Sequence, residues 1–416
     1  MKLILILGFA CAMSVSRASS VGSGERKEVA RGIQIFDHKL FNATVKRLPR
    51  ENIIISSLSA HMNLAMLSYA AGGRTATEMR RGLELPRKPT RYALRGYKKI
   101  VADQQKVENI TLNVVNQIYV DFEVKSKFKD LTKKVFQSKI SQLNMGEPNE
   151  AARIVNNWVK NATNDMIPKM VEPDEISSDT RLILLNAVYF NGSWEEKFTA
   201  APDMMFYMDD GQEPVTAMTL ANDLKYGKIP NANASFVAIP YKNKNLKMVV
   251  VVPEQVNGID NVVESLNRVN ISSLLAKASL QPVNLRIPKF KIESEIDLQE
   301  ELPQLGMTDM FKDTANFSAL GSGSLKVDQV RQKAIVGIDE NGTKAAAVTG
   351  SSLVSRIGIM DDETLTPVTV DRPFFFTILM GDIPLFTGLV RNPCPTCAKT
   401  SLENKESGPI HEESTT

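Results

Sequence analysis

The order of its helical and strand patterns is the sequence feature that most constrains the fold of this chain. Apolar residues spaced three to four apart, typical of amphipathic helices, predominate before about residue 170, and short apolar runs typical of strands predominate after it. The two patterns do not alternate regularly, as they would around a parallel sheet. With 416 residues of which 43% are apolar, the chain can bury a large core. These features predict an α+β fold.

Local patterns place the individual elements. Helices are predicted at 25–46, 58–71, 75–85, 90–106, 125–136 and from 149 onward. Strands are predicted at 52–55, 112–120, 182–190, 235–239, 247–252, 283–287, 334–338, 374–379 and 385–390. The polar composition of residues 394–416 predicts a disordered C-terminal tail.

Residues 1–20 have the pattern of a secretory signal peptide. Lys2 precedes an apolar run at 3–10, and small residues follow around Ala18. A membrane span needs about 20 apolar residues, and this run is shorter. We therefore expect a secreted, extracellular protein without a membrane anchor. Among the Asn-x-Ser/Thr sequons, the glycosylation candidates are Asn42, Asn109, Asn161, Asn233 and Asn270.

Charge and cysteine content exclude several kinds of partner. Lys plus Arg total 50 and Asp plus Glu total 47, so no nucleic-acid partner is expected. Cys11 would leave with the signal peptide. Cys394 and Cys397 then remain, either as a local disulfide or as an intermolecular thiol. Two cysteines supply too few ligands for a structural zinc site, so we expect no metal.

Histidine content argues against a hydrolase. The three histidines are His38 and His61, in separate predicted helices, and His411, in the tail. A Ser-His-Asp site needs a histidine within hydrogen-bond reach of an exposed serine. The sequence also lacks a Gly-x-Ser-x-Gly elbow and the HExxH, P-loop and GxGxxG motifs. We therefore expect neither an enzyme nor a cofactor.

Five ordered motifs carry a resemblance to one protein family. They are NIIIS (52–56) with LAML (64–67), LLNAVYFNGSW (184–194), PKFKIE (288–293), LGMTDMF (305–311), and VDRPFFFTI (370–378) with LFTG (385–388) and NP (392–393). In this order the chain resembles the serpin family. The resemblance implies a single serpin domain over residues 25–393, monomeric, with a large mixed sheet, smaller sheets, about nine helices and an exposed reactive-centre loop at about 340–366.

The segment ENGTKAAAVTG, 340–350, resembles the hinge of inhibitory serpins. The hinge candidates are Glu340, Gly342, Thr343, Ala345, Ala346 and Ala347. The resemblance implies that this segment enters the large sheet as a new strand after the loop is cut. Strand side chains alternate between faces, so Thr343 and the alternate residues after it must be small, while Lys344 falls on the solvated face. Gly342 supplies backbone freedom where the strand begins.

The family's spacing from the hinge acid places the cleaved bond at Arg356–Ile357. Arginine before the bond indicates a trypsin-like target with a carboxylate at the base of its specificity pocket. The stretch from Arg356 to Pro373 is longer than is usual in the family, so Ile359 and Met360 remain alternatives. Met360 would indicate a chymotrypsin-like or elastase-like target.

The resemblance also implies a sheet-opening group: Ser56, Asn186, Gln332 and Trp194. The first three are expected to form a polar cluster beneath the opening strands. Ser57 stands where proline is common, and Gln332 stands where many vertebrate members have histidine. Glutamine can supply a hydrogen bond there without pH dependence. This choice suggests an arthropod-like member.

Basic residues on one predicted helix suggest a second site. Arg91, Arg95, Lys98 and Lys99 share a helix face. In some serpins this helix binds sulfated polysaccharides, which makes a sulfated glycosaminoglycan a candidate partner. A solvated charged face is the alternative.

Two functions remain open from the sequence. The first is a suicide-substrate inhibitor that covalently traps an extracellular trypsin-like serine protease of a proteolytic cascade. The second is a non-inhibitory serpin, a carrier or a substrate, and the small hinge residues favour the first. A sequon at Asn341 lies inside the hinge. Because a glycan there would hinder insertion, we predict that Asn341 is unmodified.

Overall fold

A computed structural model describes residues 4–87, 90–106, 110–266, 269–343 and 365–394. Its α-helices are α1 (Ile4–Arg47), α2 (Ser57–Ser68), α3 (Gly73–Gly82), α4 (Thr90–Gln105), α5 (Ser126–Leu131), α6 (Pro148–Ala162), α7 (Ile259–Leu266) and α8 (Ile271–Lys277). Its strands are β1 (Ile53–Ile55), β2 (Ile110–Val120), β3 (Lys139–Gln142), β4 (Leu182–Ser193), β5 (Thr199–Met208), β6 (Gly211–Ile229), β7 (Ala234–Pro240), β8 (Leu246–Pro253), β9 (Leu280–Pro288), β10 (Phe290–Asp297), β11 (Gln329–Asp339), β12 (Gly342–Thr343), β13 (Thr366–Thr369), β14 (Phe374–Met380) and β15 (Ile383–Val390). The predicted α+β fold class is confirmed.

The predicted elements are found, with differences in extent. The predicted helix 25–46 is the C-terminal part of α1, which begins within the predicted signal peptide. The predicted helix 125–136 divides into α5 and a π-helical turn, Thr132–Phe136. The described residues contain eight α-helices where about nine were expected. None of these helices is long and apolar enough to cross a membrane.

A six-stranded mixed sheet has the order β10-β11-β12-β4-β2-β3. β11 and β4 pair in parallel, from Gln329 opposite Ile183 to Ile335 opposite Tyr189. We call this line of pairing the seam. Beyond Ile335 the two strands separate, and β12 lies between them. This sheet corresponds to the predicted large sheet, although the second sheet has more strands.

The second sheet has nine strands in the order β1-β15-β14-β8-β7-β6-β9-β13, with β5 paired to β6. β14 and β15, the last described strands of the chain, lie inside this sheet between β1 and β8. All their residues are buried, as expected for strands that are covered on both faces. The last two described strands are therefore part of the core.

The two faces of the six-stranded sheet pack against different elements. The inner face lies on α2, which is buried along its whole length and also contacts β15 of the other sheet. The outer face is covered by α6 and by residues 163–176 that follow it. The outward residues of β4 and β11 in this second core are Ile183, Leu185, Ala187 and Ile335. The inward residues alternate with them and include Leu184, Val188, Ala334 and Val336.

His61 of α2 is a packing residue. Its ring is fully buried and lies edge-on to Phe36, at 5.2 Å between ring centroids. Nε2 is 2.9 Å from the carbonyl oxygen of Leu83, and Nδ1 is 3.3 Å from the hydroxyl of Tyr97. Burial lowers the pKa of His61 to about 4, against the opposing effect of the Leu83 hydrogen bond.

We expect His61 to make the protein lose stability in mild acid. In the unfolded chain His61 is protonated as pH falls below about 6.5, whereas in the folded protein it is protonated only near pH 4. The stability lost over this window is about 3 kcal/mol. Urea unfolding of wild type and His61→Gln between pH 7 and pH 4.5 measures the difference in slope. Equal slopes for the two proteins would show that His61 does not cause the loss.

Candidate functional site: the hinge and the seam

The chain reverses direction immediately after β11. Glu340 and Asn341 form the turn, and Gly342 and Thr343 run back as β12. The Asp339 carboxylate accepts hydrogen bonds from the backbone N–H groups of Asn341 (2.8 Å) and Gly342 (3.2 Å), which stabilises the turn. β12 pairs antiparallel with β11 on one side and with β4 on the other. The first hinge residues are therefore already a strand of the sheet.

Gly342 fits this position because the backbone of β4 passes so close to it. A Cβ atom on Gly342 would lie 2.0 Å from the carbonyl oxygen of Gly192 and 2.8 Å from the Cα of Ser193. Both distances are too short for real contacts. Only glycine can therefore occupy position 342 without a shift in the backbone of β4.

Thr343 occupies the first inward position of the hinge. Its side chain is fully buried, and its hydroxyl is 2.6 Å from that of Tyr241. The ring of Tyr241 stacks on Trp194 with 4.5 Å between the centroids. Burial raises the pKa of Tyr241, against the lowering effect of the Thr343 hydrogen bond, so the phenol keeps its proton. This enclosed position accommodates a small side chain that can hydrogen-bond.

The turn is also held from outside by the chain that follows β4. The backbone N–H of Trp194 donates to the carbonyl of Asn341 (3.1 Å), and its indole N–H donates to the carbonyl of Asp339 (2.9 Å). The N–H of Phe198 donates to the carbonyl of Glu340 (3.0 Å). The Glu340 carboxylate forms an ion pair with Lys289. Both the backbone and the side chain of Trp194 therefore anchor the hinge.

A polar group lies on the inner face at the middle of the seam. The backbone N–H of Ser56 donates to Gln332 Oε1 (2.8 Å), and Gln332 Nε2 donates to the carbonyl of Ser56 (2.9 Å). Asn186, the Cα partner of Gln332 across the seam, accepts a hydrogen bond from the hydroxyl of Ser59 (2.7 Å). Asn186 Nδ2 is buried and has no hydrogen-bond partner among the described residues. Gln332 thus binds the residue that precedes α2, and Asn186, on the other side of the seam, binds α2 itself.

The structure separates Trp194 from the three residues with which the sequence analysis grouped it. Trp194 directly follows the last residue of β4 and lies eight residues beyond Asn186 in the sequence. At about 3.3 Å per residue this separates the two by about 26 Å. Trp194 belongs with the hinge, whereas Ser56, Asn186 and Gln332 lie along the middle of the seam.

Two of the four candidate polyanion-binding cations are paired. Arg95 and Lys99 both form ion pairs with the carboxylate of Glu25, which is buried at 1% exposure. Arg91 and Lys98 are exposed, and within the described ranges neither has an ion pair. The four side chains therefore do not form one free basic patch, because two of them hold α4 on α1.

The glycosylation candidates differ in exposure. Asn161, Asn233 and Asn270 are exposed, and Asn42 is half-buried. The side chain of Asn270 also caps α8, because its Oδ1 accepts a hydrogen bond from the N–H of Ser273 (2.9 Å). Asn109 lies outside the described residues.

Several sequence-based predictions fall outside the described part of the chain. Cys394 is described and is disulfide-bonded, which excludes a free thiol at this residue. The residues that are not described include Cys397, the hinge residues Ala345, Ala346 and Ala347, and the bond Arg356–Ile357 with its alternatives at Ile359 and Met360. Across the described ranges, no cluster of three or more His, Cys, Asp or Glu side chains could hold a metal ion.

The two residues of β12 lie between β4 and β11, which are parallel neighbours along the seam. The family model for serpins (serine protease inhibitors) matches residues 32–393. This chain therefore belongs to the serpin family, and the resemblance seen in its motifs is confirmed. The family is one of protease inhibitors rather than catalytic enzymes.

Individual relatives agree with this assignment. Alaserpin of Manduca sexta is 29% identical over 409 residues, which cover 94% of this chain and 100% of alaserpin. Serpin48 of the insect Tenebrio molitor matches with a TM-score of 0.79 at 27% identity, covering 88% of this chain and 98% of Serpin48. Native protease nexin-1, solved with heparin, matches with a TM-score of 0.75 at 30% identity, covering 90% of this chain and all of that one. The insect relatives agree with the predicted arthropod-like character.

Sequence reasoning missed three residues that contact the predicted site. Tyr241 and Lys289 touch the hinge, and Ser59 binds Asn186. Lys289 stands in the motif at 288–293, which identified the family without assigning it a partner. No local pattern marks Tyr241 or Ser59, because their contacts join segments far apart in the sequence.

Proposed function

We propose that this protein is a secreted suicide-substrate inhibitor of a trypsin-like serine protease. The observation that carries the proposal is β12, two hinge residues that are already paired between β4 and β11. A strand that has started at this place can lengthen only along the seam. The hinge therefore has both a direction and a register for further insertion.

The register predicts where each further hinge residue would go. Thr343 is the Cα partner of Gly192 in β4 and of Ile338 in β11. Continuing this antiparallel pairing puts Ala347 opposite Val188, and Thr349 between Asn186 and Gln332. Thr349 would arrive on the inner face, where Asn186 Nδ2 is a buried donor without a described partner. An unsatisfied buried donor costs about 1–3 kcal/mol, so this contact would favour the inserted state.

The same register assigns the outward side chains. Val348, Gly350 and Ser352 would lie opposite Ala187, Leu185 and Ile183, which α6 and its following segment cover. All three are small and uncharged. Lys344, the one charged residue between Thr343 and Arg356, would lie opposite Asn191, beyond this covered region. These side chains therefore suit the environments that they would enter.

Insertion would convert proteolysis into trapping. The serine of the protease attacks the carbonyl carbon of Arg356, the amine of Ile357 leaves, and an acyl-enzyme ester remains on Arg356. Residues 344–356 inserted at about 3.3 Å each would carry that ester about 43 Å along the sheet. A protease carried this far by its own catalytic serine would be distorted before water could hydrolyse the ester. The uncleaved protein would then be a kinetically trapped, metastable state.

The decisive experiment incubates the purified protein with trypsin. We expect a covalent complex that survives denaturing electrophoresis and a released C-terminal peptide that begins at Ile357. Cleavage without any complex would refute inhibition and favour a carrier or substrate role. A peptide that begins at Met360 or Asp361 would move the reactive bond to one of the alternatives.

We also propose a narrower polyanion site than the sequence suggested, centred on Arg91 and Lys98. We expect heparin to accelerate inhibition, and Arg91→Ala with Lys98→Ala to remove most of that acceleration. For each phosphate-like contact that is lost, the slope of the logarithm of the heparin-binding constant against the logarithm of the salt concentration should become shallower by about one unit. Lys326→Ala, which removes an exposed lysine paired with Asp313, is the matched control. Full acceleration of the double variant would rule this site out.

A further inference from the structure

The seam is crossed on the outer face of the sheet by an ion pair between Arg331 of β11 and Glu175. Arg331 Nη1 lies 2.7 Å from Glu175 Oε2, and Nη2 lies 2.6 Å from Oε1. The contact is therefore bidentate, the strongest arrangement for this pair of side chains. Gln329 Nε2, from the same strand, donates to the carbonyl of Glu175 (2.5 Å). The Arg331 side chain is 15% exposed, which limits the competition from water.

Glu175 is fixed to the β4 side of the seam. It lies in the segment that connects α6 to β4, and its Oε2 also accepts a hydrogen bond from the N–H of Glu172 (2.7 Å). Just before it, the N–H groups of Met170 and Val171 donate to Oδ1 of Asn156 in α6. α6 packs in turn in a core with three outward residues of β4 and Tyr119 of β2, compared with a single residue of β11, Ile335. Glu175 would thus stay with α6 and β4 when the sheet opens.

Arg331 is fixed to the opposite side. β10 and β11 are paired along their length, from Phe290 opposite Ile338 to Asp297 opposite Arg331. Lys333 forms ion pairs with both Glu293 and Glu295 of β10. These contacts would travel with β11. The Arg331–Glu175 pair therefore joins two bodies that must separate.

Accepting a strand widens the gap between β4 and β11 from one strand spacing to two, an increase of about 4.8 Å. Side-chain contacts of 2.6 to 2.7 Å do not survive that displacement. The register puts Gly350 between Leu185 and Arg331, so the inserting strand brings no side chain that could replace Glu175. Insertion in this register would therefore break the ion pair, and the loop would not replace it.

We propose that the Arg331–Glu175 ion pair is a latch that sets how fast the seam opens. This inference rests on the proposed insertion mechanism. Arg331 and Glu175 are positioning residues, because they touch neither the protease nor the cleaved bond. A weaker latch speeds insertion relative to hydrolysis of the acyl-enzyme, and it also shortens the lifetime of the uncleaved state.

The test measures seam opening without a protease. A labelled, acetylated peptide with the sequence of residues 345–356 is incubated with the full-length protein, and its incorporation is followed on native gels. We expect Glu175→Gln and Arg331→Met to accelerate incorporation about fivefold, the effect of losing an ion pair worth about 1 kcal/mol. Arg331→Lys, which keeps the charge but loses the bidentate geometry, should give an intermediate rate.

Arg153→Met is the matched control. Arg153 forms a similar bidentate pair with Glu150 on the exposed side of α6, and that pair does not cross the seam. Its rate should stay within about twofold of wild type. The latch is refuted if Glu175→Gln incorporates peptide no faster than Arg153→Met, or if no variant incorporates peptide at all. Incorporation with the expected ranking but without a trypsin complex would instead refute the proposed inhibition and leave the latch standing.

Discussion

We expect Thr343→Glu to turn the inhibitor into a substrate. The side chain at this position is fully buried, and among the described residues its hydroxyl has one hydrogen-bond partner, the hydroxyl of Tyr241. A carboxylate there would be an unpaired buried charge, which costs at least about 3 kcal/mol. The substituted residue would therefore leave β12 in the uncleaved protein, and insertion would have to bury its charge. Every 1.4 kcal/mol changes a rate ratio tenfold. The ratio of the insertion rate to the rate of ester hydrolysis would therefore be about a hundredfold lower than in wild type.

The number of inhibitor molecules consumed per protease molecule inhibited measures this effect. It should rise steeply for Thr343→Glu, with full-length protein converted to cleaved protein and no complex on denaturing gels. Lys344→Glu is the matched control, because the register gives residue 344 an outward position opposite Asn191, and it should inhibit nearly as wild type does. Efficient trapping by Thr343→Glu would contradict the inserted register.

Arg356→Ala should have the second large effect, on recognition rather than trapping. Arginine at the cleaved bond pairs with a buried carboxylate of a trypsin-like protease, and truncating one partner of such a pair costs about 2–5 kcal/mol. The association rate constant with trypsin should fall by about a thousandfold, since about 4 kcal/mol corresponds to three powers of ten.

Ser355→Ala is the control for this change, because it alters the neighbouring residue without removing the charge. Its rate constant should stay within about threefold of wild type. If Arg356→Ala still inhibits trypsin at the wild-type rate, the cleaved bond is not at Arg356. Met360→Ala, tested against chymotrypsin, then examines the alternative bond.

The family motifs predicted the fold better than local patterns predicted its parts. β4, β14 and β15 consist mostly of apolar residues, so they were visible as strands. β6, with 19 residues, was missed because polar residues interrupt it, and its burial pattern follows no simple alternation. β10 does alternate, between buried and exposed residues, yet its PKFKIE motif served only as a family landmark. Tertiary pairing, rather than local sequence, decides such segments.

The site was predictable where one segment carries the chemistry and not where distant segments meet. The small residues of the hinge predict a strand with one buried face. The ion pair of Glu340 with Lys289 joins residues 51 positions apart, and that of Arg331 with Glu175 joins residues 156 positions apart. The local sequence around each residue does not predict which residue it pairs with. Conversely, Arg95 and Lys99 looked like free cations because the burial of Glu25 beside them has no local signature.

The central position of β14 and β15 has a consequence for the protein after cleavage. Any cut between Thr343 and Leu365 leaves β13, β14 and β15 on a separate polypeptide, of which β14 and β15 remain buried in the middle of the nine-stranded sheet. The product is a two-chain protein whose smaller chain cannot leave without exposing the core. Cleaved molecules that have released the protease therefore keep nearly the same mass as uncleaved ones under native conditions, and denaturation separates their two chains.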